Sequence, residues 1–168
     1  MSGLIAIHAQ QYKPVAEKSE LSFTVKNFGL NTSGSLNGLK GDIIFNSADL
    51  PSSSFNVSVD VNTINTGIDA RDSHLKKEEY FNTENFPIIT FISTSITGNS
   101  NAYSVSGKLT IKGVTKIISF PFTVKNENGG LIFTGNFSIN RKDFNVGGSS
   151  AVLSNTVDVN LKVAAVKS

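Results

Sequence analysis

The chain has 168 residues, with 15 basic and 13 acidic side chains and a net charge of +2. One domain of this size buries roughly 70% of the surface that its unfolded chain exposes, and balanced charge without Lys/Arg runs argues against nucleic-acid or membrane-surface partners. Cysteine is absent, which excludes disulfides and thiolate metal sites, and no apolar stretch reaches the roughly 20 residues of a transmembrane helix.

In chain order, the first feature is LIAIHAQ at residues 4–10. It reads as the end of a secretory signal peptide given a new start, or as a floppy leader or short first strand. Residues 1–11 are therefore set apart as a leader and residues 12–168 as one domain. From Leu21 onward the apolar period is two, the strand signature. Strands are predicted at Leu21–Asn27, Leu39–Phe45, Phe55–Val61, Ile88–Ile96, Tyr103–Ile111, Ile118–Val124, Leu131–Ile139 and Val157–Val163. Turn signals separate them: Asn37-Gly38, Gly98–Asn101 and Asn126–Gly130, Asn-Gly pairs supplying the positive φ of tight hairpins. The count is about eight antiparallel strands, with no composition break and no repeat.

Such strands close into a barrel or stack as a sandwich. Gly41, Gly107 and Gly135 interrupt otherwise good strands, which favours a strongly bent sheet. Pro121 cannot donate to a ladder and marks an edge, a bulge or a seam near Phe120–Phe122. The inward rows carry Phe23, Phe45, Phe91, Phe120, Phe122, Phe133 and Phe137, with Phe144 just beyond. Alternation alone fits a core packed by its own rings, the simpler reading, or a barrel that holds one small ligand.

One stretch breaks the alternation: IDARDSHLKKEEYFNTENFPIITF, Ile68–Phe91. Asp69 is a plausible N-cap and Asp72 suits the start of the helix dipole, so a short helix is predicted over about 70–79, anchored by Leu75. Pro87 discourages helix at Phe86 and opens the next strand. His74 with Glu78 offers two ligands, too few for zinc. A nucleophilic site would need His74 as base beside a Ser or Thr, but there is no Gly-x-Ser-x-Gly elbow. Arg71, Asp72 and His74 read as structural hydrogen-bonding groups or, alternatively, as ligand contacts.

The order of the pieces goes further. Arg71-Asp72-Ser73-His74-Leu75 is followed by Phe86-Pro87, by Leu109-Thr110-Ile111-Lys112-Gly113-Val114-Thr115-Lys116 and by Asn140-Arg141-Lys142-Asp143-Phe144. This pattern resembles the YceI-like family over about Tyr12 to Val166. The resemblance implies an all-β fold, an eight-stranded antiparallel lipocalin-like barrel with one short helix between strands. It implies export to the periplasm or outside the cell, and a binding protein for a long amphiphilic lipid, polyisoprenoid or quinone-like, often linked to stress. No catalytic residue, metal or cofactor beyond that lipid is expected, and neither nucleic acid nor membrane integration; a homodimer is compatible. Phe23, Val25, Phe45, Phe91, Leu109, Phe120, Phe122, Phe133 and Phe137 are expected to line the tunnel. Asn27, Arg71, Asp72 and His74 are the candidates for its polar end. Asn27 stands where many family members carry His, and Asn145 where Gly is frequent. The rival readings are a filled structural barrel and a lipid head-group hydrolase that uses His74 as general base.

Overall fold

The computed structural model describes residues 10–168. Nine strands run in chain order: β1 Gln11–Pro14, β2 Glu20–Asn27, β3 Leu30–Ile44, β4 Ser54–Asn65, β5 Ile88–Asn99, β6 Ala102–Ile111, β7 Val114–Glu127, β8 Gly130–Asn140 and β9 Leu153–Lys167. The helix α1, Asp69–Leu75, lies between β4 and β5. Every consecutive pair from β2 to β9 is antiparallel, and β2 also pairs with β9. These eight strands therefore close into a barrel. The short β1 pairs with β3 and β9 beyond the start of β2, so β1 and β2 form one wall strand broken around Ala16–Lys18.

The alternation lies as expected, with apolar residues inside. On β9, Val157, Val159 and Leu161 face inward while Asp158, Asn160 and Lys162 are exposed. A lipid-facing barrel has the opposite sense, with an apolar outer band. Among the described residues no helix is long and apolar enough to cross a membrane.

Several expectations shift. Gln11 belongs to β1, inside the stretch 1–11 assigned to a leader; residues 1–9 lie outside the described residues. Asn37-Gly38 is not a turn. Gly38, at φ 75, sits within β3 at a break in the β3–β4 register, because positive φ serves a bulge as well as a hairpin. The hairpin is made instead by Phe28-Gly29, at φ 53 and 74, with Phe28 74% exposed. The turn signals at Gly98–Asn101 and Asn126–Gly130 do form hairpins, carrying positive φ at Ser100-Asn101 and Asn128-Gly129.

The glycines within strands make room. A Cβ on Gly107 would stand 2.6 Å from the Phe91 ring, and one on Gly135 3.3 Å from the Phe120 ring, so large rings lie across glycine on neighbouring strands. At Gly41 the obstacle is backbone: φ is 139 and a Cβ would run into the Asn56 carbonyl and stand 2.8 Å from Val57 Cα. Gly41→Ala is expected to force β3 and β4 apart and lower the unfolding free energy by about 3 kcal/mol or more. An unchanged urea midpoint would contradict this. At Pro121 the β7–β8 ladder, which runs from Glu127↔Gly130 to Phe122↔Gly135, ends. The seam expected there exists, and the stacked rings of Phe120 and Phe137, with centroids 4.8 Å apart, lie at its level.

Candidate functional site

The barrel interior divides into two parts. At the end that carries the β5–β6 and β7–β8 hairpins, rings fill the space. Phe45 packs edge-on against Tyr103 and Phe133 at 5.4 and 5.5 Å, and Phe55 lies 5.4 Å from both Phe122 and Phe133. Phe45, Phe122 and Phe133 were expected to line the tunnel; they form its floor plug instead and do not line the cavity. Their strand positions place them next to the closed end, where converging rings leave no room.

Above the plug the inward side chains stop meeting. A cavity of about 270 Å³ opens between β2, β9 and the opposite walls. Voids in a packed core rarely exceed one water, whose share of liquid volume is about 30 Å³. This space is several times that, close to the lower bound of about 300 Å³ for small-molecule pockets, so the interior is only partly filled by its own rings. Phe23, Val25, Phe91, Leu109, Phe120 and Phe137 line it. Leu21, Leu36, Val157, Val159, Leu161 and Val163 complete much of the wall. All of these but Leu36 lie in predicted strands; Leu36 fell outside them, beside the expected Asn37-Gly38 turn.

The other end is roofed by two loops, residues 66–87 and 141–152, joined where Gly147 N–H donates to the Glu79 carbonyl at 2.9 Å. The helix is shorter than the predicted 70–79. Its N-cap is Ile68, without a side-chain cap bond, and Asp69 is its first residue. Asp72 does the tying instead: its carboxylate accepts from Thr66 N–H at 2.9 Å and from Thr66 Oγ1. Arg71 Nε donates to Thr66 Oγ1 and Nη2 to the Thr66 carbonyl, both at 2.8 Å. Thr66 thus links the arginine and the aspartate and holds the helix to the end of β4. Past Leu75 the chain leaves the helix as Phe81 N–H bonds to the Leu75 carbonyl at 3.0 Å, which brings Tyr80 and Phe81 to the cavity wall.

The four polar candidates separate. Asn27 and Arg71 line the cavity, while Asp72 and His74 do not. The His74 side chain is 50% exposed, with Nε2 3.4 Å from Glu79 Oε1 and its ring edge-on to Tyr80. Sequence reasoning assigned no role to Arg141, which the structure puts at the cavity. It is 4% exposed. Its Nε donates to the Ser154 carbonyl at 2.9 Å, Nη1 to those of Val146 and Gly148 at 2.9 Å, and Nη2 to that of Leu153 at 3.3 Å. The available signal was a basic residue at a strand end, three positions before a Phe that proves to be 2% exposed. Asn145 adopts φ 57 after this turn, a left-handed conformation that Asn tolerates and Gly favours.

The hydrogen bond from the Thr66 side chain, more than any other influence, holds the Asp72 carboxyl below the ordinary carboxylate range. A depressed carboxylate stabilises the fold above its unfolded value, near pH 4, and the contribution fades as pH falls through the lower folded value. Asp72→Asn is therefore expected to flatten the acid limb of stability below about pH 4. Parallel wild-type and variant profiles in acid denaturation would contradict it.

A closed antiparallel barrel with a polar exterior and a roofed apolar cavity has the architecture of barrels that bind a ligand inside. The chain belongs to the YceI-like family: the YceI-like domain matches residues 12–165. It is 31% identical over 154 residues to UPF0312 protein YE1254 of Yersinia enterocolitica, covering 88% of this chain and 80% of that one. Burkholderia cenocepacia BcnA superposes with a TM-score of 0.85 at 26% identity, over 90% of this chain and 98% of that one. A polyisoprenoid binding domain from Saccharophagus degradans, implicated in plant cell wall breakdown, shares the fold at TM-score 0.76 and 20% identity, over 94% and 98% of the two chains.

Proposed function

We propose that this chain binds one long amphiphilic lipid, polyisoprenoid or quinone-like, with its apolar tail in the barrel cavity, for carriage, storage or a stress response in the periplasm or outside the cell. The observation that carries this reading is the apolar cavity of about 270 Å³ between the aromatic plug and the loop roof. The polyisoprenoid binding domain from Saccharophagus degradans, which has the same fold, supports the choice of ligand class. Binding without catalysis accords with His74, the one histidine among the described residues, whose ring lies off the cavity wall.

Burying an apolar chain contributes about 0.8 kcal/mol per CH₂ before ordering costs. Affinity for prenyl alcohols of increasing length is therefore expected to rise by at least about tenfold per isoprene unit, then level off once the cavity is full. Length-independent affinity in a fluorescence-displacement series would reject a tail-in-cavity mode.

A further inference from the structure

Both charged residues that line the cavity are arginines. Arg71 reaches it from α1 and Arg141 from the loop after β8, and no carboxylate among the described residues shares the lining. The two ion pairs among the described residues, Lys13–Asp42 and His74–Glu79, involve neither arginine.

Arg141 bears its charge out of water, facing main-chain dipoles and no counter-charge. A guanidinium does not lose its proton in a protein, and a buried ion without an opposite partner is costly even when hydrogen-bonded. Four carbonyls offset part of that cost and fix the head in place. One N–H of Nη2 is left over, since a guanidinium has five. Arg71 has its own anionic neighbour, Asp72, joined through Thr66, but Asp72 does not line the cavity. Arg71 Nη1 makes no hydrogen bond among the described residues, its bonds running from Nε and Nη2. The cavity therefore has apolar walls and a cationic end in surroundings where water screens poorly.

We propose that the ligand head group is an anion, a carboxylate or a phosphate, held at the Arg71–Arg141 end while the tail occupies the apolar part. The proposal rests on the lipid-binding reading above and narrows it. A neutral alcohol or quinone oxygen accepts a hydrogen bond but brings no charge to offset that of Arg141, which has no carboxylate partner among the described residues. An ammonium head is repelled. Arginine forks suit carboxylate and phosphate oxygens through charge-assisted bonds, about twice as strong as neutral ones.

The test is competition, read by native mass spectrometry, among four probes with one tail: geranylgeranyl phosphate, geranylgeranoate, geranylgeraniol and geranylgeranylamine, offered in equal amounts to the purified chain. The expected result is that one or both anions outcompete the alcohol by at least about tenfold, with the amine last; the dominant anion names the head group. Arg71→Gln is expected to cut the anion-to-alcohol ratio by about tenfold. Arg141→Lys, which keeps the charge, is expected to retain a preference for anions. Alcohol and amine retained as well as the anions, or a ratio untouched by Arg71→Gln, would overturn the proposal while leaving lipid binding intact. Retention of none of the four would instead sink the lipid-binding reading and this proposal with it.

Discussion

Arg141→Met is expected to be the most destabilising single substitution in the roof, costing on the order of 4 kcal/mol. The wild-type guanidinium donates to the carbonyls of Val146, Gly148, Leu153 and Ser154. Methionine fills similar space and donates nothing. Each buried acceptor left bare costs about 1–3 kcal/mol, and the more exposed ones recover part of that from water. The damage extends beyond one loop, because Val146 N–H bonds the Arg141 carbonyl and Gly147 N–H bonds Glu79, so the 141–152 loop also steadies the 66–87 loop. Against a domain stability of about 5–15 kcal/mol, such a loss brings the chain close to unfolding at ordinary temperature. Urea denaturation measures it. A shift below about 0.5 kcal/mol, the size of an ordinary surface substitution, would show that the four bonds contribute little. Arg141→Lys is expected to fall between the two, since an ammonium offers three donors without the planar fork.

The second large effect is on binding and leaves the fold alone. Val157 and Val159 lie on the inward face of β9 and line the cavity. Val159 is paired with Phe23 on one side and Phe137 on the other. Two added rings, in the double variant Val157→Phe with Val159→Phe, would occupy the volume intended for the ligand tail. Lipid affinity is expected to fall by at least about a hundredfold, which is 2.7 kcal/mol or more. Stability is expected to hold or to rise by about 0.5–2 kcal/mol, as when a void is filled. Retained affinity together with a native unfolding midpoint would mean that the tail does not run along β9.

Much of the fold was legible because it depends on period and on turn chemistry. Val157–Val163 alternates without a break and becomes the inward wall of β9; Asn128-Gly129 becomes the β7–β8 turn; Pro121 does coincide with the end of a ladder. What escaped was context. Asn37-Gly38 has the composition of a hairpin, yet β3 continues through it as a bulge, while the real turn hides an aromatic residue, Phe28, at positive φ, an uncommon choice. Likewise, period two puts Phe45 and Phe91 on the same inward face and cannot tell plug from cavity wall. That distinction depends on how far each ring stands from the closed end. At the polar end, Asn27 was legible from the family resemblance and Arg71 from the charged stretch, but Arg141 was not. A lone arginine beside Lys142 and Asp143 looks like solvated surface until the chain folds four carbonyls around it.

Everything proposed for this barrel depends on whether the space above the aromatic plug holds a lipid. Native mass spectrometry of the chain purified from a bacterial host, followed by denaturation and organic extraction, tests it most directly. The expected result is a stoichiometric adduct that leaves with the organic phase and is absent from the double Val→Phe variant. A bare mass, still bare after incubation with polyprenyl phosphates, polyprenyl alcohols and quinones, would contradict it.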